Sequence, residues 1–399
     1  MKQMLTIAEA QKLVLSKVEK LGTEELGLLE AVGRVLAEEI YAGDSMPPFN
    51  RSAMDGYAVR SIDTWNRRLT ALKLIEELPA GRVAAKSLEQ DTCTLLMTGA
   101  PLPEGADAVI RREDVEREGD LAFVPGQIAA GTNVDRAGSD IKAGEILLHP
   151  GMIIGPGEAA LLASQGFARA NVFRKPRVAI LSTGDELVEI QEPLVPGKIR
   201  NSNRYMLAAA LVENGADPLI YPAMPDELQK TKEMLLKAGE EADLVLSTGG
   251  VSMGDYDLVR KALIEIADEA LFWRVQIKPG MPVVAVMRQN KLYLGLSGKP
   301  TGALLNFYLL AAGVISKLSG KENHYFESIN AVLQNDYAKA SPDRHRYLWA
   351  ETNYKGEWMT EHIGGRQLKS LLGFNSLIEI PGGSGPLKPG DNVRVILVR

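Results

Sequence analysis

The chain has 399 residues, four histidines, one cysteine and a formal net charge of −6, with 45% hydrophobic and 24% charged residues. That is the composition of a globular protein with enough chain for two or three domains. Cys93 alone rules out an internal disulfide and a thiolate zinc site, and the acidic balance without a long Lys/Arg run argues against a nucleic-acid partner.

Met1 to Lys17 is interrupted by charges and carries no signal-peptide pattern. Thr6-Ile7-Ala8-Glu9 has the capping-box form, and Ala10, Leu13, Val14 and Val18 recur at helical spacing, which predicts a first helix. A second helix is expected over Leu29 to Glu39. After Met46 the prolines of Pro47-Pro48-Phe49 break regular helix. Short strands between Gly/Pro turns, such as Leu72 to Ile75, Ala108 to Arg111 and Leu121 to Val124, then predict a β-rich insert over about 46–146.

Glu158 to Gln165 reads as a short helix, and Lys175-Pro176 as a boundary. Beyond it strands alternate with helices. The strands are Arg177 to Leu181, Leu219 to Tyr221, Leu244 to Leu246, Phe272 to Ile277, Val283 to Met287 and Leu292 to Leu296. The helices follow Asn203 as a cap with a stop at Asn214-Gly215, then cover Glu227 to Ala238, Leu258 to Ile266 and Pro300 to Leu318. This order predicts a mostly parallel sheet with helices on both faces and ligands outside the strands' carboxyl ends. From about Ser328 short strands and Gly/Pro turns return, as a small C-terminal β-barrel. The fold class is therefore multidomain α/β plus β, divided at 1–174, 175–325 and 326–399. The apolar stretch Leu304 to Ile315 is short for a bilayer span, so no membrane association is expected, and the localisation is cytoplasmic.

Two strand-end loops of the α/β part share one chemistry. Ser182-Thr183-Gly184-Asp185-Glu186 is the first. The second runs from Ser247 through Thr248, Gly249 and Gly250 to Ser252, with Asp255 and Asp257 beyond. Bare backbone N–H groups at a helix start, close approach at glycine and nearby hydroxyls suit a phosphate or another anion. Arg274 and Lys278 lie four apart on an expected strand and so share a face, as a basic pair beside these loops would. Asp55, before Gly56 at an expected turn, reads equally well as local turn chemistry or as a functional carboxylate. The four histidines have no metal-ligand spacing.

The run Ser52-Ala53-Met54-Asp55-Gly56-Tyr57-Ala58-Val59-Arg60 resembles the signature of the MoeA family, the molybdopterin molybdenumtransferases related to the plant molybdenum insertase and animal gephyrin. Further similar stretches follow in order: Met97 to Pro103, Gly105 to Val109, Gly138 to Ile141, Leu181 to Leu187, Ser247 to Gly254 and Ile277 to Gly280. The resemblance spans the chain. It implies that the α/β part is a MoaB/MogA-like molybdopterin-binding domain. It also implies a reaction of molybdate with adenylylated molybdopterin that gives the molybdenum cofactor and AMP, with Mg²⁺. A homodimer is implied as well, with a molybdopterin adenylyltransferase as upstream partner. On this reading Asp55, Thr98, Asp140, Glu186 and Asp257 are catalytic, with Asp55 reaching the substrate from a different domain or subunit. Ser182, Thr183, Gly184, Asp185, Ser247, Gly249, Gly250, Ser252, Arg274, Lys278, Ser297 and Arg344 bind substrate, and Asp226 with Asp257 is the metal set. The cations and Gly-rich N–H groups would neutralise a phosphoanhydride, and a metal would reconcile carboxylates with an anionic substrate.

The chain departs from the family pattern in places. Lys299 in Ser297-Gly298-Lys299-Pro300 stands where the family usually has Asn, which leaves a salt bridge to the ligand or a lost substrate contact as alternatives. Arg274 replaces the more usual Lys. Ile363-Gly364-Gly365-Arg366 lacks the usual Ser, so Arg344 alone is carried over from the barrel, and Arg111-Arg112-Glu113 is more basic than usual. Two other readings stay open: a non-catalytic pterin-binding scaffold, and a CinA-type nucleotide hydrolase, which leaves the Asn50 to Arg60 motif unexplained.

Overall fold

Leu244–Thr248 is buried along its whole length and Arg177–Ser182 along all but its first residue, as central strands covered on both faces must be. Their side chains alternate between two cores. Val178, Ile180, Leu244 and Leu246 pack with Leu207 and Leu211 of the helix Ser202–Glu213. Ala179, Leu181 and Val245 pack with Leu235 of Leu228–Glu241 and with Val259 and Leu263 of Leu258–Ile266. Truncating one such leucine to alanine costs about 2–5 kcal/mol.

The computed structural model describes residues 1–252, 257–341, 343–364 and 367–399. Its contacts divide it into one unit of Met1–Glu38, Pro150–Ala159 and Ala168–Arg399 and another of Glu39–His149 and Ala160–Phe167.

In the first unit the central sheet has seven strands, in the order Lys2–Leu5, Glu269–Val275, Val284–Arg288, Lys291–Leu296, Leu244–Thr248, Arg177–Ser182, Asp217–Ile220. Neighbours run parallel except where Val284–Arg288 meets the strands on either side. All the carboxyl-end loops of the parallel strands therefore open at one edge. In the C-terminal region Ser328–Leu333, His345–Tyr354, Trp358–Gly364, Ser376–Ile380 and Asn392–Leu397 close into a five-stranded barrel, because His345–Tyr354 pairs with both Trp358–Gly364 and Ser376–Ile380. The short strand Ile277–Lys278 pairs with His345 and Arg346 of that barrel.

The second unit carries a six-stranded sheet in the order Ala108–Arg111, Gly56–Val59, Thr92–Leu96, Leu69–Leu78, Leu121–Pro125, Glu116–Glu118. Leu72, Leu74, Cys93 and Leu95 fill one face with Tyr57 and Val59. Burial pushes the Cys93 thiol up to about 12, so it is a packing residue rather than a nucleophile.

Several sequence expectations need correction. The capping box is present, with Thr6 N–H donating to Glu9 Oε2 at 2.9 Å, but a strand, Lys2–Leu5, precedes the helix Ile7–Ser16. Leu29 to Glu39 is not helical: Gly33 turns at φ +81°, and Val35 and Leu36 extend to bridge Ile153 and Val172. The cap of Ser202–Glu213 is Asn201, whose side chain accepts from Arg204 N–H, not Asn203. Leu304 to Ile315 belongs to a longer helix, Pro300–Leu318, whose 19 residues would cross a membrane on length and composition alone. Its apolar window is 83% buried inside the protein, as in a core helix.

Candidate functional site

Four loops gather where the sheet's carboxyl ends meet the barrel. Gly249 and Gly250 follow Leu244–Thr248 with φ of +91° and +59°. A Cβ on Gly249 would lie 3.0 Å from the Thr183 carbonyl, and one on Gly250 2.9 Å from Val259, so only glycine lets this turn close on its neighbours. The Arg260 N–H then donates to the Gly250 carbonyl as the helix Leu258–Ile266 begins. Asp257 stands at that helix's N-cap without capping it; its half-buried side chain faces a cavity instead.

The cavity has a volume of about 630 Å³. Gly249, Gly250, Ser252 and Asp257 form one wall, Lys278 to Pro282 and Arg344 another, and Ser297 to Lys299 a third. Among the described lining residues three side chains are cationic (Lys278, Lys299 and Arg344) and one, Asp257, is a carboxylate. This local positive charge opposes the net −6 of the chain and favours an anionic ligand. Arg344 is held by Nη1 at 3.1 Å from the Met281 sulfur, an acceptor too weak to spend its charge.

Two of these walls are fastened by a residue that sequence reasoning missed. Asn306, fully buried in the long helix, donates from Nδ2 to the Gly280 carbonyl at 2.8 Å and accepts at Oδ1 from the Ser297 N–H at 3.3 Å. The signal was there. An asparagine inside an otherwise apolar helical run must find buried partners.

Beside this cavity lies a cleft of about 260 Å³ that shares Lys278 and Pro279 and adds Lys339, Arg346 and His362, with no carboxylate among its described lining residues. Arg346 donates to the Tyr337 hydroxyl at 2.6 Å, while its buried Nε has no partner.

The Ser182 to Glu186 loop faces a smaller space. Thr183 and Glu186 line a cleft of about 110 Å³ together with Thr248 and Gly249. The Thr183 hydroxyl donates to Asp226 Oδ1 at 2.8 Å, and Asp185 and Asp226 exchange weaker backbone-to-carboxylate bonds at 3.4 and 3.3 Å. Asp226 is thereby tied to this loop. Ser182 and Ser247 are 1% exposed inside their strands and line none of these spaces.

The shared face expected for Arg274 and Lys278 is not found. Arg274 adopts φ +72° at the end of Glu269–Val275, which breaks the alternation, and Lys278 belongs to a separate strand of the barrel sheet. Lys278 lines the cavity, whereas the Arg274 guanidinium stacks 3.9 Å from the Trp273 ring centroid. Asp255, Gly365 and Arg366 lie outside the described residues.

In the second unit three distant motifs meet. The Gly99 N–H donates to the Ser52 carbonyl at 2.8 Å, Ala137 N–H to Asn50 Oδ1 at 2.9 Å, and Asp140 N–H to the Met46 carbonyl at 3.0 Å. Asp55 Oδ1 accepts from the Thr98 hydroxyl and from the Thr98 N–H. These bonds, with a smaller attraction to Arg112, hold the Asp55 carboxyl below the usual carboxylate range although it is exposed. Asp140 is likewise exposed.

Comparison with known proteins finds matches across the chain. The family model for the MoeA N-terminal region (domain I and II) matches residues 5–166, and that for a probable molybdopterin binding domain matches 179–317. A molybdopterin molybdenumtransferase of Staphylococcus epidermidis is 34% identical over 98% of this chain and 95% of its own. One from Bacillus subtilis is 34% identical over 94% of this chain and 90% of its own. The crystal structure of a molybdopterin biosynthesis MoeA protein from Pyrococcus horikoshii matches with a TM-score of 0.85 at 34% identity, over 99% of this chain and 100% of that one.

Proposed function

The chain belongs to the MoeA family, and from that premise we propose how its cavity and its Asp55 cluster divide the work of metal insertion. It is a transferase of molybdenum cofactor biosynthesis that inserts molybdenum into a molybdopterin-related substrate. The CinA-type hydrolase reading falls away with that membership, since the family match covers the N-terminal region as well as the molybdopterin-binding domain. Against the non-catalytic scaffold stand the carboxylates Asp55, Asp140, Glu186 and Asp257, all present in the chain.

The observation that carries the proposal is the pairing of two cationic spaces of unequal size around Lys278. The larger holds the phosphoanhydride of adenylylated molybdopterin. Lys278 and Arg344 neutralise its phosphate oxygens, and the Gly249-Gly250 turn, with Ser252 beside it, leaves backbone room for their approach. The smaller cleft suits molybdate, a compact dianion. Having no carboxylate among its described lining residues, it imposes no like-charge penalty on that substrate. As a water or molybdate oxygen forms a new P–O bond at the molybdopterin phosphate, the P–O bond to AMP breaks and its electron pair goes to the departing AMP phosphate. The fixed cations stabilise that charge as it grows.

Mg²⁺ fits the donor set. It binds through one or two carboxylates plus substrate phosphates rather than a full protein cage, and Asp257 lines the larger cavity while Asp226 stands at the neighbouring loop. No group of three or more metal-ligating side chains occurs among the described residues. When bound, the ion supplies charge neutralisation at the anhydride. Asp55, kept ionised by Thr98, and Asp140 and Glu186, both exposed, relay protons from the dithiolene thiols to the oxygen that molybdate loses as water. Ser182, Ser247, Gly184 and Asp185 shape the loops rather than touch the ligand.

The family also supports a cytoplasmic homodimer fed by a molybdopterin adenylyltransferase, with domain boundaries near 174 and 325. Incubating the purified protein with adenylylated molybdopterin, Mg²⁺ and molybdate, and following AMP and cofactor, tests the proposal.

A further inference from the structure

Lys299 occupies the N-cap of the helix Pro300–Leu318. At that position Asn, Asp, Ser and Thr are favoured because a side-chain oxygen accepts an otherwise orphaned N–H of the first turn. A lysine ammonium has no acceptor, and no side-chain capping bond is made: only the Lys299 carbonyl serves the turn, accepting from Gly302 and Ala303 at 2.9 Å each. A cation at the first turn also meets the positive end of the helix dipole. On local grounds the residue is unfavourable twice over.

Its surroundings add a third cost. The exposed Lys299 side chain lines the same cavity as Lys278 and Arg344, and among the described residues no carboxylate pairs with Lys299. With one carboxylate, Asp257, against three cations, the described lining keeps an excess of positive charge that an anionic ligand relieves. A residue that breaks the capping rule and gains no internal partner is the kind of inconsistency that marks function.

We propose that Lys299 is an affinity-determining residue that binds the anionic phosphates of the ligand, its charge replacing a helix cap. This rests on the larger cavity being the phosphate site. Of the two readings the Gly-Lys-Pro turn allows, a bridge to the ligand is therefore chosen over a lost contact. The ligand class is a phosphate ester or anhydride, whose anionic oxygens meet the cationic lining.

The test is Lys299→Asn, which removes the charge while installing a favoured cap, so misfolding does not confound it. Inorganic pyrophosphate and AMP are titrated calorimetrically at low and high salt against wild type, Lys299→Asn, Lys299→Arg and Arg344→Gln. Lys299→Asn should melt at a higher temperature yet bind both probes roughly tenfold more weakly at low salt, as loss of a charge-assisted contact predicts. The gap should narrow at high salt, where exposed charges are screened, and Lys299→Arg should retain most of the affinity. Binding by Lys299→Asn equal to wild type, with the same salt dependence, overturns the assignment; so does an equal loss in Lys299→Arg. If Arg344→Gln loses binding while Lys299→Asn does not, the Lys299 assignment alone falls. If neither affects binding, the reading of the cavity as the phosphate site falls with it.

Discussion

Asp55 Oδ1 accepts both the hydroxyl and the backbone N–H of Thr98, each at 2.7 Å. The two motifs that carry these residues are 43 positions apart in sequence, and a single carboxylate oxygen joins them. The bond fixes both where the carboxylate points and the charge it carries.

Thr98→Val removes the hydroxyl and leaves the N–H. The Thr98 bonds depress the Asp55 carboxyl below its ordinary 3.8. Whatever this contact adds to stability is present above that ordinary value and is lost as pH falls through the depressed one. In Thr98→Val the carboxyl should titrate at higher pH than in wild type, part of the way back to 3.8. Carbon-detected NMR of the Asp55 side chain reads this directly, and an unchanged titration would mean the hydroxyl bond does not form in solution.

Asn306→Leu keeps the branched side-chain shape and removes both polar contacts, leaving the Gly280 carbonyl and Ser297 N–H without their partner. Each orphaned buried group costs roughly 1–3 kcal/mol. The loops bearing Lys278 and Lys299 should also lose their spacing, so KM should rise together with the drop in urea midpoint. Full stability with normal KM would show that another contact fastens these walls.

Asp243, which opens the strand leading to Gly249-Gly250, accepts from Arg174 at 2.8 and 2.5 Å and from the Arg177 N–H at 2.9 Å. Burial alone would raise its carboxyl, but these bonds outweigh burial and lower it. The stabilisation is therefore complete at neutral pH and disappears as the protein is acidified through that depressed value. Asp243→Asn should destabilise the neutral protein by roughly 2 kcal/mol, a figure discounted because the Arg174 side chain is 37% exposed. The gap from wild type should close in acid. Parallel pH–stability curves for the two proteins would contradict this.

Much of this organisation was legible in the sequence, because local chemistry and global packing agree there. Leu244, Val245 and Leu246 are apolar without alternation because they feed cores on both faces, and Leu258–Ile266 lies where its spacing placed it. The Leu29 to Glu39 segment misled because its residues suit a helix while Gly33 and the bridges of Val35 and Leu36 demand extension; long-range pairing overrode propensity. Arg274 misled because strand periodicity assumes an unbroken pleat, and its left-handed backbone breaks it. Neither the Asn306 staple nor the cleft around Arg346 follows from spacing, since each depends on which loops the sheet and barrel bring together.

On the proposed function, Asp257 in the cavity serves anhydride cleavage and Asp55 in the other unit serves the metal insertion coupled to it. The measurement that tests it is AMP released from adenylylated molybdopterin with Mg²⁺ and molybdate by wild type, Asp55→Ala and Asp257→Ala, each checked for native circular dichroism. Wild type should release AMP in step with cofactor formed, and both folded variants should release none. Wild-type turnover with full metal insertion in either variant would remove that carboxylate from the mechanism.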